Sequence, residues 1–213
     1  MHTSQDPHAG QPVLRRGPAP AQARLGVVLV HGRGDSAAGI LGLADEFEAP
    51  DVTWVAPHAA GQTWYPYSFL SPMGQNEPGL SSGLGVIGAL VSALAAEGIP
   101  AERVVLMGFS QGACLVQEFA ASHARRYHAI VGLSGGLIGP PGTPREYAGT
   151  FDRTPVFLGC SDIDPHIPVE RVHESAEVFR RMGARVDERI YPGMGHTVNY
   201  DETEAVRALL AAR

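Results

Sequence analysis

The sequence predicts a single-domain α/β fold in which a mainly parallel sheet carries helices on both faces. Three observations predict it. Strand-length apolar runs alternate with stretches of helical periodicity along the chain. Those runs are rich in Val, Ile and Leu without polar alternation, as strands covered on both faces are. The length, 213 residues, suits one domain with a sizeable core.

The elements follow in order. Residues 1–24 read as an N-terminal extension, polar and rich in Pro, Ala and Gln; within it 1–10 are expected to be disordered and 11–15 to form an edge strand. The domain proper spans 25–213, with no internal repeat or linker. Residues 25–30 form a buried strand, 36–48 a helix and 52–56 a second buried strand. An irregular loop at 61–79 is rich in aromatics, Met and Pro. A helix at 78–97 carries Leu80, Leu84, Ile87, Val91 and Leu94 at helical spacing, which points to packing on a sheet rather than a membrane span. A strand at 103–107, a helix at 113–122 and a strand at 129–133 come next, followed by a Gly/Pro loop at 134–153. A strand at 154–160, a helix at 169–182, a strand at 185–190 and a helix at 198–212 close the chain.

Composition excludes several function classes. The net charge is −6, and the basic pairs Arg15-Arg16, Arg125-Arg126 and Arg180-Arg181 form no extended run, so nucleic acid is not the expected partner. All sixteen basic residues are arginine, which removes Walker-type phosphate loops, Schiff-base lysines and Ser–Lys dyads. Two cysteines, Cys114 and Cys160, are too few for a disulfide framework and read as small buried hydrophobes. The N-terminus lacks the apolar segment of a signal peptide, so a cytoplasmic location is expected.

No cofactor is expected either. Gly83-Leu84-Gly85-Val86-Ile87-Gly88 matches a dinucleotide pattern but lies inside a helix. Gly32-Arg33-Gly34-Asp35-Ser36-Ala37 follows a strand, yet the next strand ends Ala56-Pro57-His58 with no ribose-binding carboxylate. Asp162-Ile163-Asp164 begins like a calcium loop but has Ile167 where glycine is needed. His166 and His173 have no partner pattern for a metal and read as surface residues.

The chemistry concentrates at Gly108-Phe109-Ser110-Gln111-Gly112, between a strand and a helix. Such a corner is too sharp for flanking side chains, hence its two glycines, and it exposes the serine hydroxyl. The helix that begins there aims free N–H groups and a positive dipole end at whatever Ser110 attacks. Serine needs a base to become a nucleophile. His196, in a glycine-rich loop after the 185–190 strand, has the position and chain order for that role. The acid should follow the 154–160 strand, where Asp162 and Asp164 compete. Asp164 lies farther out, with Pro165 and Pro168 stiffening the loop behind it, and is favoured; Asp162 suits backbone N–H bonds within the turn.

An oxyanion hole should use the backbone N–H groups of Arg33 and Gln111. The Arg33 side chain would contact an anionic substrate or pair with Asp35 or Glu77. Substrate-lining candidates are Trp64, Tyr65, Phe69, Leu70 and Met73 from one loop and Leu137 and Ile138 from the other.

As a set, Val28 to Asp35, Gly108 to Gly112, Asp164 to Pro168 and Gly193 to His196, with Trp64 in the substrate loop, resemble the phospholipase/carboxylesterase family of small α/β-hydrolases, which includes acyl-protein thioesterases. The resemblance spans about residues 25–212. It implies the α/β-hydrolase fold, a Ser110–Asp164–His196 triad, Arg33 and Gln111 as oxyanion donors, and cofactor-free hydrolysis of esters or thioesters. Arg33 stands where the thioesterases usually carry leucine, and neither long loop has a typical acyl-channel sequence. The expectation is therefore a serine carboxylesterase for small or aromatic esters. A lysophospholipase or acyl-thioesterase is the first alternative, and a non-catalytic ligand-binding protein of the same fold the second. A homodimer is left open.

Overall fold

In this computed structural model, which describes residues 6–212, seven strands form one sheet in the order β1-β3-β2-β4-β5-β6-β7. The strands are β1 (Val13–Arg16), β2 (Leu25–Val30), β3 (Val52–Pro57), β4 (Val104–Phe109), β5 (Ala129–Leu133), β6 (Pro155–Ser161) and β7 (Arg185–Tyr191). Every neighbouring pair is parallel except β1 with β3. The helices are α1 (Ala37–Asp45), α2 (Gly79–Ala96), α3 (Gln111–Ser122), α4 (Val169–Arg181) and α5 (Tyr200–Ala211).

Side chains alternate across each strand and so feed two cores. Val28 and Val30 of β2, with Val104 and Leu106 of β4, meet α2, α3 and α4 on one face. Leu25, Val27 and Leu29, with Val105 and Met107, meet α1 and α5 on the other. The central strands have no solvated face, which is why they lack polar residues. At the edge, β7 carries Arg185, Asp187, Glu188 and Arg189 and is only half-buried.

Some expectations shift. Residues 6–10 are not disordered: they form a turn with His8 buried, its ring accepting from Ala60 N and donating to Trp64 O; residues 1–5 lie outside the described part. The edge strand is present, and Arg15 and Arg16 anchor it to Glu97 and Asp45. Helix α1 is shorter than the 36–48 expected, because Ser36 caps it at Gly39 N and Glu48 takes positive φ. Helix α3 begins two residues earlier, at Gln111, directly on the corner. Uncharged α2 lies against α3 and β2, with Leu80, Ile87, Val91 and Leu94 buried.

Candidate active site

Ser110 follows β4 with φ 54° and ψ −120°, a conformation that an L-residue adopts only when its surroundings enforce it. Two glycines permit the enforcement. A Cβ on Gly108 would stand 2.4 Å from the backbone of Gly112, and one on Gly112 would stand 2.1 Å from Val30 O. Strand β2, the corner and the start of α3 are therefore in backbone contact. The Ser110 N–H donates to Leu133 O, locking the corner to β5.

The three residues distant in sequence converge. The Ser110 hydroxyl lies 2.8 Å from His196 Nε2, and His196 Nδ1 lies 2.7 Å from Asp164 Oδ2. An ionised carboxylate can only accept, so Nδ1 carries the proton and Nε2 is free to accept from Ser110. Asp164 Oδ1 accepts from the backbone of His166 and Ile167. Burial works to raise the Asp164 carboxyl, but the bonds from His196, His166 and Ile167 outweigh it and hold the group below the usual range. Asp162, the competing acid, accepts from Gly193 N at 2.8 Å. Its bond is to the loop that carries His196 rather than within its own turn.

The expected oxyanion residues flank Ser110. A Cβ on Gly32 would stand 3.2 Å from that of Ser110, so the loop after β2 runs against the nucleophile. Among the described residues, neither Arg33 N nor Gln111 N has a backbone acceptor. Both amides are free for a developing oxyanion. His31 holds this loop, donating from Nδ1 to Gly32 O and accepting from Ala59 N at Nε2.

The Arg33 side chain pairs with neither Asp35 nor Glu77. Its guanidinium donates to Thr63 Oγ1 and to the carbonyls of Tyr65, Pro66 and Tyr67, at 2.8–3.0 Å. Gln111 reaches the same segment, accepting from Trp64 N and donating to Tyr65 O, both at 2.9 Å. The side chains of both expected oxyanion residues thus clamp the segment Thr63–Tyr67. Sequence reasoning missed this, because it sought a carboxylate or substrate partner for the Arg33 side chain and gave Gln111 only a backbone role.

A cavity of about 670 Å³ opens above Ser110. Tyr65 and Phe69 line it as expected, joined by Tyr67, Phe109, Ile167 and Cys114, which sequence reasoning did not assign to it. Five expected lining residues do not face it. Trp64 is fully buried, donating from Nε1 to His31 O and lying between the rings of His31 and His8, so it supports the oxyanion loop from below. Leu137 and Ile138 belong to the core, with their amides taken by Ser175 and Glu118. Leu70 and Met73 turn inward onto the same core. His166, read as a surface residue, lines the cavity with its ring 4.8 Å from that of His196.

Comparison with known proteins agrees with this fold. The family model described as phospholipase/carboxylesterase matches residues 16–212. The chain is similar to acyl-protein thioesterase 1 of Neurospora crassa, at 24% identity over 92% of this chain and 89% of that protein. It is similar to the Gibberella zeae protein of the same name at 26%, over 91% and 92%. Among solved structures, a phospholipase/carboxylesterase from Dyadobacter fermentans superposes with a TM-score of 0.91 at 40% identity, covering 95% of this chain and 97% of that one. The structure of esterase PE8 superposes at 0.77 with 25% identity, over 94% and 96%.

Proposed function

This chain belongs to the phospholipase/carboxylesterase family and is a serine hydrolase acting on ester bonds, and on that premise we propose that it is a carboxylesterase for small and aromatic acyl groups, worked by Ser110, His196 and Asp164. The observation that carries the assignment of roles is the continuous relay from Ser110 Oγ through the imidazole to Asp164, at 2.8 and 2.7 Å.

In this reading His196 Nε2 takes the hydroxyl proton as Ser110 attacks the acyl carbonyl. Asp164 holds the tautomer and stabilises the imidazolium. The tetrahedral oxyanion accepts from Arg33 N and Gln111 N. The imidazolium then protonates the leaving alcohol. Water, deprotonated by the same imidazole, attacks the acyl-enzyme and releases the acid.

The preference for compact acyl groups is supported by what lies behind the cavity. Tyr65, Phe69 and Cys114 are buried residues of its wall. Beyond Phe69 stands the buried guanidinium of Arg171, 5.8 Å from the ring centre, paired with Glu174 and bonded to Leu137 O and Gly139 O. Glu174 also pairs with Arg145, and Glu118 accepts from Tyr147 beside it. An alkyl chain pushed through that wall would have to part buried, paired charges, and leaving one of them unpaired costs several kcal/mol. Aromatic rings at the wall favour a flat acyl group instead.

The test is a panel of p-nitrophenyl acetate, butyrate, benzoate, octanoate and palmitate with matched acyl thioesters, and Ser110→Ala as control. The reading expects the highest kcat/KM among acetate, butyrate and benzoate, and a fall of at least tenfold by octanoate. The thioesterase reading, favoured by the names of the curated relatives, would instead place long-chain thioesters first. A native chain inert to every member and to a fluorophosphonate, yet binding ligands at this cavity, would make it a binding protein.

A further inference from the structure

One buried carboxyl close to the site has no part in the relay. Glu202, in the first turn of α5, is fully inaccessible to solvent. It makes a reciprocal cap with Asn199: Glu202 N donates to Asn199 Oδ1, and Asn199 N donates to Glu202 Oε2, both at 2.9 Å. Its other oxygen, Oε1, has no hydrogen-bond partner among the described residues. That oxygen occupies a space that β6 leaves open at Gly159, where a Cβ would stand 2.1 Å from it.

This arrangement bears on His196. The segment carrying the imidazole is only three residues from Asn199, and it is tethered at two ends. On one side Gly193 N donates to Asp162 Oδ1 and Gly195 N donates to Ser161 Oγ. On the other stand Asn199 and its cap, with the Asn199 amide also reaching Met194 Sδ. Glu202 is the group that joins this second tether to the sheet, one residue from Cys160, whose thiol approaches Asp164.

We infer that Glu202 is a positioning residue for the reaction: capped with Asn199 and seated against Gly159, it holds the His196 segment in register with Ser110. The inference rests on the reading of His196 as the base.

The charges around Glu202 agree with the uncharged form. Burial, then the neighbouring charge of Asp201, push its carboxyl up to about 7, against the lowering effect of the Asn199 amide. Cys160 on β6 and Tyr191 on β7 also face it, and burial raises both. On β7, Arg189 is engaged by Asp187 and Asp201. Just before β5, His128 bonds the far end of α5 at Leu209 O. Ionisation therefore places a charge where Oε1 finds no donor, and the least costly relief is displacement of the cap.

The experiment compares full-length wild type with Glu202→Gln, which keeps a cap acceptor and cannot ionise, and with Glu202→Ala, which keeps neither. Turnover of p-nitrophenyl acetate is measured from pH 5.5 to 8.5, beside thermal melts at each pH. The readout is the ratio of Glu202→Gln to wild-type kcat at each pH. That ratio is expected to rise severalfold with a midpoint near pH 7, and the difference in melting temperature to follow it. Glu202→Ala is expected to lose about tenfold or more in kcat with KM within twofold. A ratio flat across the range, or a folded Glu202→Ala chain with wild-type kcat, overturns the inference. If Glu202→Ala does not fold, the Glu202→Gln ratio decides alone. Ser110→Ala separates the two levels: retained turnover there would refute the underlying reading, whereas a flat ratio beside an inert Ser110→Ala refutes only the role of Glu202.

Discussion

Two aspartates two residues apart divide the work of one loop. Asp164 meets the imidazole, while Asp162 ties down Gly193 in the loop that carries it. Asp164→Asn should lower kcat by roughly 10³–10⁴, because an amide that donates to Nδ1 selects the wrong tautomer. Asp162→Asn leaves an acceptor for Gly193 N and should cost less than about tenfold. Steady-state kinetics of the two variants side by side check the pair; equal losses would refute the division. Ser110 and His196 were legible in the sequence because their signals are local, a glycine-flanked corner and a glycine-rich loop after a strand. The side-chain roles of Arg33 and Gln111 were not. Their partners lie some thirty and nearly fifty residues away in an irregular segment whose path has no periodicity to read.

At the scale of elements, the long loop after β3 serves two masters. Tyr65 and Phe69 face the cavity, while Trp64, Leu70 and Met73 anchor the loop to the body. Composition marked the loop as apolar but could not sort its residues, since an irregular backbone imposes no alternation of faces. Trp64→Phe tests the sorting. It removes the donor to buried His31 O and should destabilise by about 1–3 kcal/mol, read as a lower melting temperature, with the ratio of kcat/KM for butyrate over acetate unchanged. A changed ratio would return Trp64 to the substrate. Arg33→Leu tests the clamp on Thr63–Tyr67. Losing its four bonds should free the wall, lowering kcat/KM for acetate by about tenfold and narrowing the gap between acetate and octanoate. An unaltered chain-length profile would show that Gln111 alone fixes the wall.

The whole molecule brings four strand ends to one edge of a single sheet. Strands β2, β4, β6 and β7 deliver Arg33, Ser110, Asp164 and His196 to their carboxyl ends, where open α/β sheets place their sites. That architecture was legible because the central strands are apolar throughout, a pattern only burial on both faces explains. The interior also gives stability a pH dependence. Burial raises Glu202 from 4.5 to about 7, so the folded chain holds a proton that the unfolded chain releases from about pH 4.5 upward. Its contribution is complete below pH 4.5 and lost as pH climbs to about 7, a change on the order of 3 kcal/mol. Asp164 acts with the opposite sign: its folded carboxyl sits below 3.8, and its contribution disappears only as pH falls through that lower value. Denaturant midpoints measured from pH 4 to 8 should show wild type losing stability relative to Glu202→Gln as pH rises through about 7, and an unchanged difference would contradict it.

The central claim is that Ser110 becomes a nucleophile because His196 takes its proton. The most direct measurement is peptide mapping of the full chain after reaction with a fluorophosphonate, with the rate of labelling followed in parallel. The account predicts one phosphonyl group per chain, on the peptide containing Ser110, absent in Ser110→Ala and slowed at least a hundredfold in His196→Ala. A label on another residue, or labelling of Ser110 at the wild-type rate without His196, would contradict it.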